Sequence, residues 1–172
     1  MKPARTFWRV GAGLLLLLSV CGLAAVFGRD RYRAMLASVD ARALRTYTVV
    51  EARDADRGIQ HDGCTAVIFA GLSDAEMARV IDRSAAWRVY TPDAPVSWLL
   101  YGGMHDGVWY RPVLSFADEL SGGYYYFMDL QSRSCDSGAS DIAALFGRKS
   151  LNFVLAVLEP SAKRLVFFQY DS

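Results

Sequence analysis

Hydrophobic and polar positions follow one rhythm over the first forty-five residues and another afterwards. From Val10 to Gly28 nineteen residues pass without a charge, including the run Leu14–Leu18. As a helix this segment would reach about 28 Å, close to the hydrocarbon thickness of a bilayer. Lys2, Arg5 and Arg9 precede it, Phe7 and Trp8 stand where aromatic rings favour the interface, and Arg29, Arg31 and Arg33 follow it. The pattern predicts a retained transmembrane anchor over residues 10–28 behind a basic flank, residues 1–9. A cleaved signal peptide would have a shorter apolar core and small residues at the cleavage site, for which Gly22-Leu23-Ala24 is the nearest approach. Met35, Leu36, Val39, Ala43 and Leu44 then recur at helical spacing among charged residues, so an amphipathic stalk is expected over residues 29–45.

Residues 46–172 make up one domain's worth of chain, with mostly strand-like periods. Thr46–Glu51 and Cys64–Ala70 are β-branched and apolar, with a polar connection over Arg53–Asp62. Ser73-Asp74-Ala75-Glu76 has the form of a capping box and predicts a helix through about Ser84, with Met77, Val80 and Ile81 as its apolar stripe. Strands are then expected at Trp87–Tyr90, Val96–Tyr101, Gly107–Val113, Tyr124–Leu130, Leu151–Leu158 and Arg164–Tyr170, with a short helix at Asp141–Phe146. Short connections favour antiparallel pairing, so the fold class is α+β: a mainly antiparallel sheet packed by one or two helices.

Charge sharpens the division. Residues 1–45 hold eight Lys/Arg against two Asp, whereas residues 46–172 hold eleven against sixteen Asp/Glu. The whole chain carries a net charge of +1, which excludes a strongly basic nucleic-acid binder. Three basic residues precede the apolar run and five follow it closely, a count that favours a cytoplasmic domain. The cysteines argue the other way: Cys21 lies in the run, leaving Cys64 and Cys135 as an even pair suited to one disulfide in an oxidising compartment. Sixteen Arg against three Lys, with abundant Ala, fit a high-GC bacterial genome. The location expected is therefore the inner membrane, with the C-terminal domain in the periplasm.

Candidate chemistry is sparse. Leu18-Ser19-Val20-Cys21 resembles a lipobox, with Val20 where a small residue is usual. Gly71-Leu72-Ser73-Asp74-Ala75 resembles the nucleophile elbow of α/β-hydrolases over five residues, with Asp93 and His105 following in that family's order, but Ala75 stands where the elbow has glycine. A serine N-cap with Glu76 reaching back accounts for the same residues. The two histidines occur in the tripeptides His61-Asp62-Gly63 and His105-Asp106-Gly107; turn chemistry explains both, and a mixed nitrogen and oxygen metal site is the alternative. No phosphate loop or Cys-x-x-Cys pair is present. No catalytic residue, metal or cofactor is assigned.

Aromatic residues crowd the stretch from Trp87 to Phe127. In a strand, Tyr124, Tyr126 and Met128 face one way and Tyr125 and Phe127 the other, so both faces require cover. A binding face is expected from Trp98, Tyr101, Trp109, Tyr124, Tyr125 and Tyr126, and the rival reading is a second core layer. The function expected is a membrane-anchored extracytoplasmic binding or scaffold domain without catalysis, with an envelope protein as partner. The alternatives are a pilin-like structural subunit, a toxin-neutralising immunity protein or an envelope hydrolase. The basic leader, apolar helix and disulfide-bearing sheet resemble the pilin architecture, but no acidic residue occurs before Asp30.

Overall fold

The computed structural model describes residues 28–55, 63–91, 96–105, 108–110, 120, 122–132, 142, 144–145, 148 and 150–171. The chain divides into two units, Met1–Ser38 and Val39–Ser172. In the first, residues 28–38 form a helix, α1, ending where the Ser38 hydroxyl donates to the Met35 carbonyl. No described helix is long and apolar enough to cross a membrane, and residues 10–27 of the expected anchor lie outside the described residues.

The expected stalk stops short of its forecast end. Asp40 adopts a left-handed φ of 56°, a conformation that a continuing helix excludes, and the Leu44 amide donates to Ala41 in a turn. Val39, Ala41, Ala43 and Leu44 are buried in this turn segment of the second unit. Their spacing imitates a helix because the segment still has an inside and an outside.

The second unit is built on a six-stranded, wholly antiparallel sheet in the order β1-β2-β8-β7-β6-β3. Its strands are β1 (Thr48–Ala55), β2 (Gly63–Ala70), β3 (Arg88–Tyr90), β6 (Gly123–Asp129), β7 (Asn152–Glu159) and β8 (Arg164–Asp171). β1 runs four residues beyond its forecast end, and a register shift between Val49 and Glu51 leaves Val50 as one extra residue in the strand. β4 (Gly103–His105) and β5 (Val108–Tyr110) form a separate two-stranded ribbon, so the described part of the strand expected at Gly107–Val113 pairs outside the main sheet. His105 pairs with Val108; Asp106 and Gly107, on which the turn expected in His105-Asp106-Gly107 falls, lie outside the described residues.

Val96–Tyr101, expected as a strand, is the helix α3. Its buried residues Val96, Ser97, Leu99 and Leu100 follow helical spacing, and the Gly102 amide donates to Trp98 at 2.9 Å to close the last turn. Gly102 has φ 72°, the left-handed stop that favours glycine after a helix. Six apolar residues do not distinguish a buried helix from a strand by period; the following glycine pair was the available signal.

Helix α2 (Asp74–Arg83) begins as forecast, with the Ser73 hydroxyl accepting from the Glu76 amide at 3.3 Å. The reciprocal half of the capping box is diverted, because Glu76 Oε1 accepts instead from the Arg45 amide. Ser84, just past the helix, donates to Asp40 at 2.9 Å. Both ends of α2 are therefore tied to the Val39–Thr46 segment.

Strand parity separates two core layers. On one face, Ala66, Phe168, Leu155 and Phe127 lie in register across four strands, and this face joins a cluster with Val96, Leu99 and Leu100 of α3, Leu120, Ile142 and Leu145. On the other, Val67, Phe167, Ala156 and Tyr126 form the equivalent buried row. Trp87 meets Tyr126 with ring centroids 5.7 Å apart, and Tyr47 meets Phe69 edge-on at 5.1 Å. Ile142, Ala144 and Leu145 are helical, within the short helix expected there.

Gly123 opens β6 at φ 130°, where an added Cβ would collide with the Leu158 carbonyl. Gly123→Ala is expected to destabilise the domain by about 2–3 kcal/mol, and Phe127→Ala by about 3–5 kcal/mol, in urea unfolding monitored by tryptophan fluorescence.

Candidate functional site

The six aromatic residues expected to share a binding face do not share one. Tyr125 and Tyr126 are both buried, on opposite faces of β6. Tyr125 lies beside Arg88 in the first core layer, where burial pushes its phenol pKa up against the opposing influence of that guanidinium. Tyr126 packs on Trp87 in the second layer. Trp98 and Tyr101 are half-buried on α3, and the Tyr101 hydroxyl accepts from the Leu120 amide at 2.6 Å. Tyr124 is half-buried beside Val89 of the edge strand β3. Trp109 belongs to β5, and its side chain lies outside the description. Each core layer thus claims one of the six, Tyr125 the first and Tyr126 the second.

At the opposite end of β6 lies a polar cluster that sequence reasoning missed. Asp129 ends an otherwise aromatic and apolar strand, and its side chain is 3% exposed. Its Oδ2 is 2.7 Å from Arg148 Nη1, while Oδ1 accepts from the backbone amides of Gln131 at 3.0 Å and Ser132 at 3.4 Å. Arg148 also donates to Gln131 Oε1, Gln131 Nε2 donates to Ser150, and the Leu130 amide donates to the Asn152 carbonyl. Burial pushes the Asp129 pKa up. Hydrogen bonds from Arg148, Ser132 and the Gln131 and Ser132 amides outweigh that effect and hold it below the ordinary value.

Both Asp129 oxygens are engaged by fixed donors, so this carboxylate is suited to holding chain rather than abstracting a proton. It clasps Gln131 and Ser132 at one end of the connection between β6 and β7 to Arg148 at the other. The signal in the sequence was an acidic residue in a strand buried on both faces, which must find a compensating partner. The partner's identity, nineteen positions away, carried no local signal.

The remaining candidates are dispersed. Ser73 is occupied as the α2 cap, Asp93 and His61 lie outside the described residues, and His105 is placed on the separate ribbon. Ser97, buried on α3, donates to the Tyr90 hydroxyl at 3.2 Å and the Thr91 carbonyl at 3.4 Å. Among the described residues no group of three His, Cys, Asp or Glu side chains could hold a metal ion. Cys64 is half-buried against the first core layer; Cys135 lies outside the described residues, among which no disulfide is seen. No protein-family model, curated protein or solved structure matches the chain.

Asp129→Asn should destabilise the domain by about 3 kcal/mol at neutral pH, because Arg148 loses the charge that compensates it. The difference should be fully present above the unfolded carboxyl pKa of about 3.9 and shrink as pH falls through the lower native value. Urea unfolding of both proteins from pH 7 to pH 2 measures this convergence.

Proposed function

We propose that the chain is a single-pass, membrane-anchored extracytoplasmic domain that binds or scaffolds another envelope protein and performs no catalysis. The observation that carries the reading is the uncharged run of residues 10–28, of bilayer length, with basic residues on both sides and the acidic domain behind it. Retention of the chain in carbonate-washed membranes, and activity of an export-dependent reporter fused after Ser172, are the expected results. A cytoplasmically active reporter would overturn the orientation.

The compartment reading includes a Cys64–Cys135 disulfide. Cys64, Tyr170, Phe153 and Asp129 occupy one row of the sheet, so Cys64 stands three strand spacings from Asp129, about 14 Å. Cys135 follows Asp129 by six residues, of which Leu130–Ser132 form the turn clasped to Asp129, so the three residues after Ser132, a contour of about 10 Å, would have to carry the thiol toward Cys64. The bridge would close a loop of roughly seventy residues and stabilise the domain by about 4 kcal/mol on the chain-entropy estimate. Intact mass after alkylation, with and without reductant, should show two thiols protected in the exported protein.

Support for a binding role comes from exposed apolar side chains outside the two core layers. Val89 is 68% exposed beside half-buried Tyr124 on the β3 edge, and Met104 is 64% exposed on the β4–β5 ribbon. A photocrosslinking residue at Val89 or Met104 should trap an envelope protein in cells, whereas one at exposed Ser161 should not. Equal trapping at all three positions, or none, would remove these positions as the contact surface.

A further inference from the structure

We propose that Arg29, Arg31 and Arg33 form a collar on α1 that binds the phosphate headgroups of anionic phospholipids; this rests on reading residues 10–28 as the membrane span. The three side chains are exposed, and the first follows the last residue of the apolar run directly. From Arg29 to Arg33 the helix rises about 6 Å, comparable to the roughly 5–8 Å depth of one headgroup layer. All three arginines would therefore fall within one headgroup layer.

Their angular placement identifies the partner. Successive helical residues turn by about 100°, which puts Arg29 and Arg33 about 40° apart and Arg31 about 160° from each of them. Tyr32 and Met35, half-buried, and Leu36, buried, supply the apolar side of the same helix. An acidic protein surface approaching from one side would meet only one flank of this belt. A headgroup layer surrounds the helix and meets both. Guanidinium groups suit phosphate oxygens through paired N–H donors, and Asp30 is the single acid in the belt, leaving an excess of positive charge.

The test uses the full chain reconstituted in nanodiscs of mixed phosphatidylcholine and phosphatidylglycerol. Spin-labelled versions of each lipid report which one occupies the protein's lipid shell. At roughly fivefold per arginine near an anionic surface, the wild type should prefer phosphatidylglycerol by roughly fivefold or more. R29Q/R31Q/R33Q should bring that preference to within about twofold of unity, while R42Q/R45Q, which removes exposed charge beyond α1, should retain it. A triple variant with the wild-type preference, or an equal loss in R42Q/R45Q, would overturn the collar. Carbonate washing of liposomes carrying the wild-type chain separates the two readings: release refutes the anchor and the collar together, whereas retention with unchanged lipid preference refutes the collar alone.

Discussion

Burial of both faces of β7 and β8 is the constraint on which the domain depends. From Phe153 to Glu159 every residue of β7 is buried, and so is Leu165–Phe168 in β8. A strand covered on both faces needs two layers of apolar cover. One layer combines α3 with Leu120, Ile142 and Leu145. The second face is buried through Leu158, Leu165 and Phe167, with Trp87 and Tyr47 set against its aromatic residues. The aromatic richness is consumed largely in meeting this demand.

The same constraint explains the few buried charges. Glu159 and Arg164 face each other across the last rung of the β7–β8 hairpin, 2.6 Å apart, where the sheet gives way to a four-residue turn. Asp129 occupies the corresponding position at the end of β6 and takes Arg148 as its partner. Each acid is desolvated by the sheet it terminates, and each is compensated by an arginine close to the rim. The edges are managed differently: β3 is three residues long, and β1 carries a bulge with charged residues in its sequence, devices that limit further strand pairing.

The α+β class, antiparallel pairing and most strand positions were legible because they rest on period and turn chemistry. β2, α2, β6, β7 and β8 each have an apolar pattern long enough to fix their type. The errors fall where those signals shorten or overlap. Val96–Tyr101 has an apolar run compatible with either period, and Gly102 decided for helix. Val39–Leu44 kept its helical spacing after Asp40 had ended the helix. At the candidate sites, parity foretold that Tyr125 and Tyr126 face apart, but not which side stays open, because cover comes from segments distant in sequence. The pairing of Asp129 with Arg148 was hidden for the same reason: burial creates the need for a partner, and only the fold selects it.

The place of β8 in the sheet has a consequence for how the chain matures. β8 is the last of the described strands in chain order, yet it lies between β2 and β7 near the middle of the sheet. Without β8, β2 has no partner on that side, and the β1–β2 pair is not joined to β7, β6 and β3. Residues 63 and 171 pair directly, so the sheet closes over a separation of more than a hundred positions. The two halves of the sheet therefore meet only through β8, so pairing between segments far apart in the chain, and not the local β7–β8 turn, completes the domain.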